Sequence, residues 1–291
     1  MIHPLGVHSH LFRGPPAAVA EACRRNGLTC VQLTPNFPGL IFQEPGQITP
    51  ERCRRAAEPF RDAGIQIAAL AASTNLMDPD LGRRHRGIIR LHALIRHCRD
   101  FGTDRVITET GSLSPKSPWL PYGPNRSRAA WTELRLIVSE ALAVAAEHGV
   151  TLLLKADPVQ VLATVEDAVR LRHELDHPNL GFIMDPVNFL LGAAAAASIQ
   201  DLCARFADWL EQMVEQLGRW TPVVHAKDIR IAGGEVSTPR AGRGLLDYGL
   251  FLRLLDRHQP QAPLILEHLQ PSEVPQARAY LEGVMTASSP M

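Results

Sequence analysis

Short apolar runs alternate with longer amphipathic stretches from one end of the chain to the other. The short runs have the length and residue types of buried strands, and they fall at Gly6 to Phe12, Leu28 to Leu33, Ile65 to Leu70, Arg105 to Glu109, Val150 to Lys155, Leu180 to Asp185, Pro222 to Lys227 and Pro263 to His268. Between them lie segments with helical starts and stops. Pro15 and Pro16 open the first and Gly27 closes it, while Thr49 and Pro50 supply an N-cap and a first-turn proline for the second. The third runs from about Asp80 to Phe101, closed by Gly102. Ser127 caps the fourth, whose stripe of Trp131, Leu134, Ile137, Val138, Ala141, Val144 and Ala145 recurs at helical spacing up to Gly149. Further helices are expected over Val161 to Leu175, Ser198 to Leu217, Asp247 to His258 and Ser272 to Met285. The small-residue run Ala193 to Ala197 reads as the approach to the sixth helix.

Eight strands, each followed by a helix, in 291 residues predict an α/β fold, a single-domain (β/α)8 TIM barrel over residues 1–291. A doubly wound sheet would place G-x-G-x-x-G after an early strand, and the first turn here is Leu11-Phe12-Arg13-Gly14-Pro15-Pro16. Three long connections, Thr34 to Thr49, Gly111 to Asn125 and Arg230 to Leu246, follow strands two, four and seven. That is the end at which a barrel builds its active site.

Because strand interiors of a barrel are packed by apolar side chains, ionisable residues at strand ends are the candidates for chemistry. Strand five ends Lys155-Ala156-Asp157, strand six ends at Asp185, strand seven runs His225-Ala226-Lys227-Asp228, and strand eight ends Glu267-His268. With a side-chain period of two, Lys155 shares a face with Asp157, His225 with Lys227, and Glu267 with Ile265. Asp185, His225 and Glu267 on consecutive strands offer carboxylates and an imidazole, a donor set for Mn, Co, Zn or Mg. Asp157, before Pro158, also suits a plain turn. His268 is expected to point away from the barrel axis, and His8 and His10 are open between pocket lining and packing.

Charge narrows the partners. The 30 Lys and Arg residues balance 30 Asp and Glu, and no basic stripe appears, so nucleic acid is not an expected partner. No apolar run is long enough for a membrane span, and Met1-Ile2-His3-Pro4 lacks the basic and apolar regions of a signal peptide, so a soluble cytoplasmic protein is expected. The five scattered cysteines contain no C-x-x-C pair and read as reduced thiols. Only three of the 30 basic residues are lysines: Lys116, in a proline-bearing loop, and Lys155 and Lys227 at strand ends.

At these positions the sequence resembles the sugar phosphate isomerase/epimerase family, xylose isomerase-like barrels related to ketose 3-epimerases and inosose dehydratases. The resemblance runs through Val106-Ile107-Thr108-Glu109-Thr110-Gly111-Ser112, Met184-Asp185-Pro186-Val187-Asn188, His225-Ala226-Lys227-Asp228, Gly242-Arg243-Gly244-Leu245-Leu246-Asp247-Tyr248 and Leu266-Glu267-His268. It implies a divalent metal held by a strand-five glutamate, Asp185, His225 and Glu267, with the two glutamates exchanging a proton on opposite faces of an enediolate. The strand-five position is Lys155 here, and Asn188 stands where many ketose epimerases carry a substrate-touching histidine. An ammonium about 5 Å from a divalent ion would be repelled by on the order of several kcal/mol even at an effective dielectric near 20. Either Lys155 is neutral, or it swings away and Asp157 or Glu109 completes the site, or its ammonium replaces the metal.

The expectation is therefore a sugar or sugar-phosphate isomerase or epimerase. Glu267 is expected as principal base and Lys155 as its altered catalytic partner, with Glu109, Asn188, Lys227, Asp228 and Asp157 as substrate-binding groups. A lyase or dehydratase on the same site is the alternative, and a catalytically silent sugar- or partner-binding barrel is the rival, with a Lys155–Glu109 salt bridge as its structural explanation. An abasic-site endonuclease of the same superfamily would need more His and Glu ligands. The partner is a small sugar or polyol, and the helical faces leave room for a homo-oligomer.

Overall fold

A computed structural model describes residues 3–194 and 198–287. Parallel strands β1 (Leu5–His8), β2 (Cys30–Leu33), β3 (Gln66–Ala71), β4 (Arg105–Glu109), β5 (Thr151–Lys155), β6 (Leu180–Met184), β7 (Val223–Ala226) and β8 (Leu264–Leu266) close into a barrel in chain order. The seam pairs Leu5 with Leu264 and Val7 with Leu266. Two antiparallel hairpins decorate the mouth: Asn36–Phe37 with Leu40–Ile41 after β2, and Arg230–Ala232 with Glu235–Ser237 after β7. Among the described residues no helix is long and apolar enough to cross a membrane.

Departures from the expected boundaries have local causes. The first strand ends at His8 because residues Ser9–Leu11 tighten into a 3-10 turn, closed by the Phe12 amide donating to the Ser9 carbonyl. The helix expected from Val161 begins at Val165, where Thr164 and Asp167 form a reciprocal capping box. The segment expected as one helix over Ser198 to Leu217 is two, Ile199–Ala204 and Phe206–Leu217, meeting at Arg205. A helix not expected from the sequence, Pro186–Ala193, starts directly after β6 with Asp185 as its N-cap and Pro186 in its first turn. Ala193 is thus the end of a helix; residues 195–197 of the alanine run, and residues 1 and 2, lie outside the described residues.

Inside the barrel the floor is apolar and tightly filled. Cys30, Ala68, Ala69, Ile107, Leu153, Ile183, Val223 and Ile265 form a cluster of their own. Gly6 belongs to the same level: a Cβ there would lie 2.4 Å from the Cys30 carbonyl oxygen and 2.6 Å from its Sγ. Gly6→Ala should therefore cost about 1–3 kcal/mol by overpacking, read as a lower urea midpoint. An unchanged midpoint would mean that β1 and β2 can part without penalty.

Two residues beyond this floor, the period-two alternation turns polar groups onto one level. His8 stands above Gly6, Gln32 above Cys30, Glu109 above Ile107, Lys155 above Leu153, Asp185 above Ile183, His225 above Val223 and Glu267 above Ile265. Seven of the eight strands contribute to one charged layer at the mouth.

Candidate active site

Glu267 is the hub of this layer. Its Oε1 lies 2.8 Å from His8 Nε2, accepts from Lys155 Nζ at 3.2 Å and lies 3.1 Å from His225 Nδ1. Its Oε2 accepts from Lys227 Nζ at 3.0 Å. Burial opposes ionisation of this carboxyl, but His225, Lys155 and Lys227 outweigh it and hold its pKa well below the usual carboxylate range. In this geometry the oxygens of Glu267, expected as principal base, are already engaged by surrounding groups, and the neighbouring charges suppress its affinity for a proton.

Lys227, only 2% exposed, also donates to Asp185 Oδ2 at 2.7 Å. Burial works against its charge, yet the Asp185 and Glu267 carboxylates win and raise its pKa above the ordinary lysine value. Its backbone is pinned by the buried Tyr248 hydroxyl, which donates to the Lys227 carbonyl at 2.8 Å. Lys155 is the more accessible cation, with its side chain 18% exposed. Desolvation pulls its pKa down, but Glu267, with help from Asp185 and Glu109, gives a net shift upward.

His225 is fully enclosed. Burial lowers its pKa to about 4, so the ring is neutral at ordinary pH. Its Nε2 meets Gln32 Oε1 at 2.8 Å, which places the ring proton there. Nδ1 is left buried without a well-aligned hydrogen bond, 3.1 Å from Glu267 Oε1 and 4.0 Å from Asp185 Oδ2.

Above the layer lies a cavity of about 390 Å³, lined by groups that include His8, His10, Glu109, Lys155, Glu267 and His268. Glu109 pairs in register with Lys155 across β4 and β5. It forms no salt bridge with Lys155; its Oε1 accepts instead from Ser73 Oγ at 3.2 Å. His8 uses Nε2 on Glu267, and no hydrogen bond to its Nδ1 occurs among the described residues. The sequence leaves His8 and His10 open, and both line the cavity. His268 has a left-handed backbone (φ 54°) that breaks the strand alternation; the residue borders the cavity, and its Nδ1 lies 2.7 and 2.8 Å from the Thr238 hydroxyl and carbonyl oxygens.

The remaining expected substrate-binding groups do not line the cavity. Asp228 is buried and spends its carboxylate on the amides of Ile229, Leu246 and Gly242, at 2.9, 3.0 and 3.1 Å. This explains the glycine-bearing motif: a Cβ at Gly244 would sit 2.1 Å from the Ile229 carbonyl oxygen and 2.4 Å from Asp228 Oδ1. Asn188 ties the helix after β6 to β5, donating from its amide to Asp185 Oδ1 and from Nδ2 to the Ala156 carbonyl. Asp157 forms a turn, accepting from the Val159 amide at 3.1 Å. Of the arginines in the glycine-bearing loop, Arg240 is buried and pairs with Glu273, and Arg243 is exposed.

Gln32 and Ser73 join the site without having been expected there. Gln32 carries a signal, a polar residue on the inward phase of an apolar strand. Ser73 lies beyond the end of β3, where alternation says nothing.

The donor chemistry bears on a divalent ion in two ways. His8, His225 and one Glu267 oxygen offer ligand atoms within 4.8 Å of one another, and His225 presents a neutral nitrogen fixed by Gln32, as a metal ligand would be. Asp185, expected in the ligand set, is instead engaged by Lys227 and the Asn188 amide. The charges oppose an ion. Asp185 and Glu267 are already matched by Lys155 and Lys227, and the Lys155 ammonium bonds the same Oε1 on which the other donors converge. A divalent ion would add two positive charges beside carboxylates that are already neutralised, with Glu109 on the cavity wall offsetting at most one, so the residues present do not fit one.

Known proteins share this architecture. A Mycobacterium smegmatis xylose isomerase-like TIM barrel protein in complex with magnesium is 17% identical with a TM-score of 0.71, covering 99% of each chain. The probable 3-DHS dehydratase AsbF, involved in petrobactin synthesis in Bacillus anthracis, is 16% identical with a TM-score of 0.70, covering 97% of this chain and 98% of its own. The 3-keto-D-glucoside 4-epimerase YcjR from E. coli is 15% identical with a TM-score of 0.68, covering 97% and 100%. At these identities the likeness is one of fold. No curated protein matches by sequence. The family model described as Xylose isomerase-like TIM barrel matches residues 20–286, nearly the whole barrel, and the chain belongs to that family.

Proposed function

We propose that the protein is an enzyme that moves a proton on the carbon next to the carbonyl of a small sugar or polyol-derived substrate, an isomerase or epimerase working through an enediolate. The observation that carries this reading is the placement of His8, Lys155 and Glu109 around one cavity, with Glu267 bonded to the first two. A cavity of about 390 Å³ suits a ligand of that size.

Each group has one task. Glu267 holds the Nε2 proton of His8, so that Nδ1 keeps a lone pair as general base. The Lys155 ammonium faces the oxygen on which negative charge develops as the proton leaves, and stabilises it electrostatically. Glu109, on the wall formed by β4, returns a proton from a second direction. No step runs through a metal. Magnesium in a relative of the same fold belongs to that relative, whose identity to this chain is only 17%.

A dehydratase reading shares the first abstraction and then expels a β-hydroxyl. His10 and His268, which line the cavity, favour it as groups placed to hydrogen-bond the departing oxygen.

The test is incubation in D2O with a panel of ketoses and polyol-derived ketones, followed by proton NMR. Deuterium should enter the carbon next to the carbonyl, with substrate recovered or epimerised, and His8→Ala should slow that entry about 10²-fold or more. Appearance of an unsaturated product would select the dehydratase. Saturable binding without exchange across the panel would leave the silent sugar-binding barrel as the function.

A further inference from the structure

We propose that the Lys155 ammonium occupies the place of a divalent cation at this centre, and that its exchange for glutamate alone would convert the barrel into a cation-binding site. Asp185 and Glu267 are buried, at 0% and 7% exposure, and buried carboxylates are satisfied by backbone amides, as at Asp228, or by counter-charges, as here. Lys227 supplies one, bridging both carboxylates at 2.7 and 3.0 Å. Lys155 supplies the other at 3.2 Å from Glu267 Oε1. The charges of Asp185 and Glu267 are thus balanced by the protein's own side chains.

Position agrees with charge. The oxygen that Lys155 bonds is also the point on which His8 Nε2 and the unbonded His225 Nδ1 converge, at 2.8 and 3.1 Å. His225 Nδ1 is a buried nitrogen 3.1 Å from the oxygen that Lys155 bonds, with Gln32 holding the opposite nitrogen. Those features suit an ion, and an ammonium stands among them. Replacing Lys155 with glutamate changes the layer by two negative charges, the amount one divalent cation restores. It also adds an oxygen donor from β5, beside the carboxylates that follow β6 and β8 and the imidazole of β7. Glu109, the register partner of Lys155, brings a further carboxylate to the cavity wall.

Metal uptake is read without any substrate, so its outcome is independent of the reaction proposed for the cavity. The wild-type protein, Lys155→Glu and Lys155→Glu/His225→Ala are stripped with chelator and equilibrated with Mn²⁺ or Zn²⁺. Bound metal is counted by mass spectrometry after gel filtration, and affinity is taken from calorimetry. Wild type should retain well under one equivalent, and Lys155→Glu about one. Affinity should rise on the order of 100-fold, given two changed charges in a partly buried site, and should be lost again with His225→Ala. A wild-type protein that binds one equivalent tightly and loses it with His225→Ala would overturn the proposal. So would a folded Lys155→Glu variant that takes up no metal. Lys155→Gln is run alongside as a control against unfolding of Lys155→Glu in metal-free buffer: its neutral amide should give metal uptake between the other two, and uptake equal to wild type would count against the proposal.

Discussion

Lys155→Met is expected to lower turnover about 10²–10³-fold while leaving the barrel folded, since it removes a preorganised positive charge from the cavity wall. Methionine keeps most of the length and apolar stem of lysine. Glu267 would still be held by His8 at 2.8 Å and by Lys227 at 3.0 Å, so the loss should appear in chemistry far more than in structure. If the ammonium acts on the developing oxyanion, kcat falls and KM changes little. Lys155→Arg should not restore activity, because a planar guanidinium fork cannot reproduce a point charge at that distance. Deuterium exchange measured at saturating and at low substrate separates the outcomes. A variant with unchanged kcat would remove Lys155 from the reaction.

Lys227→Met should instead be a stability lesion of about 3–5 kcal/mol, the usual cost of breaking a buried ion pair from one side. Lys227 is 2% exposed and is the one ammonium bonded to both Asp185 and Glu267 among the described residues. Its loss leaves two buried carboxylates sharing Lys155. In a chain of this size a deficit of that order lowers the thermal midpoint by roughly 10 °C. Removing a carboxylate as well should return part of the loss: Lys227→Met/Asp185→Asn is expected to be more stable than Lys227→Met alone. Calorimetric scans of the three proteins decide it, and a double variant no better than the single would mean that the ion pair is not what Lys227 contributes.

Strand periodicity and turn residues are enough to give the barrel, because alternating strands and capped helices of this length have few other ways to pack. The same periodicity puts Lys155, Asp185, His225 and Glu267 at one mouth, and a lysine where the resembled family carries a glutamate flags the centre as unusual. What the pattern does not encode is partner choice. Glu267 and Asp228 are both acids at strand ends, yet one is surrounded by cations and the other by backbone amides. Parity separates them: Asp228 follows the inward Lys227 by one residue and so faces out, toward the glycine-bearing loop. Asn188, expected at the substrate, lies three residues into a helix capped by Asp185, and that position commits it to backbone bonds. Alternation is silent on His268, whose left-handed backbone lies just past the end of β8, where strand pairing no longer dictates the conformation.

The charged layer draws its members from both ends of the chain: His8 and Glu267 touch across a separation of 259 residues. In folding terms this centre is assembled last. Helices and neighbouring strand pairs can form from local contacts, but His8 reaches Glu267 only when β1 closes against β8 and the ring is complete. During refolding, therefore, far-ultraviolet circular dichroism should recover ahead of ligand binding, and the cavity becomes a reporter of barrel closure. A chain stalled with its seam open would look well folded by its helices and yet have no active site.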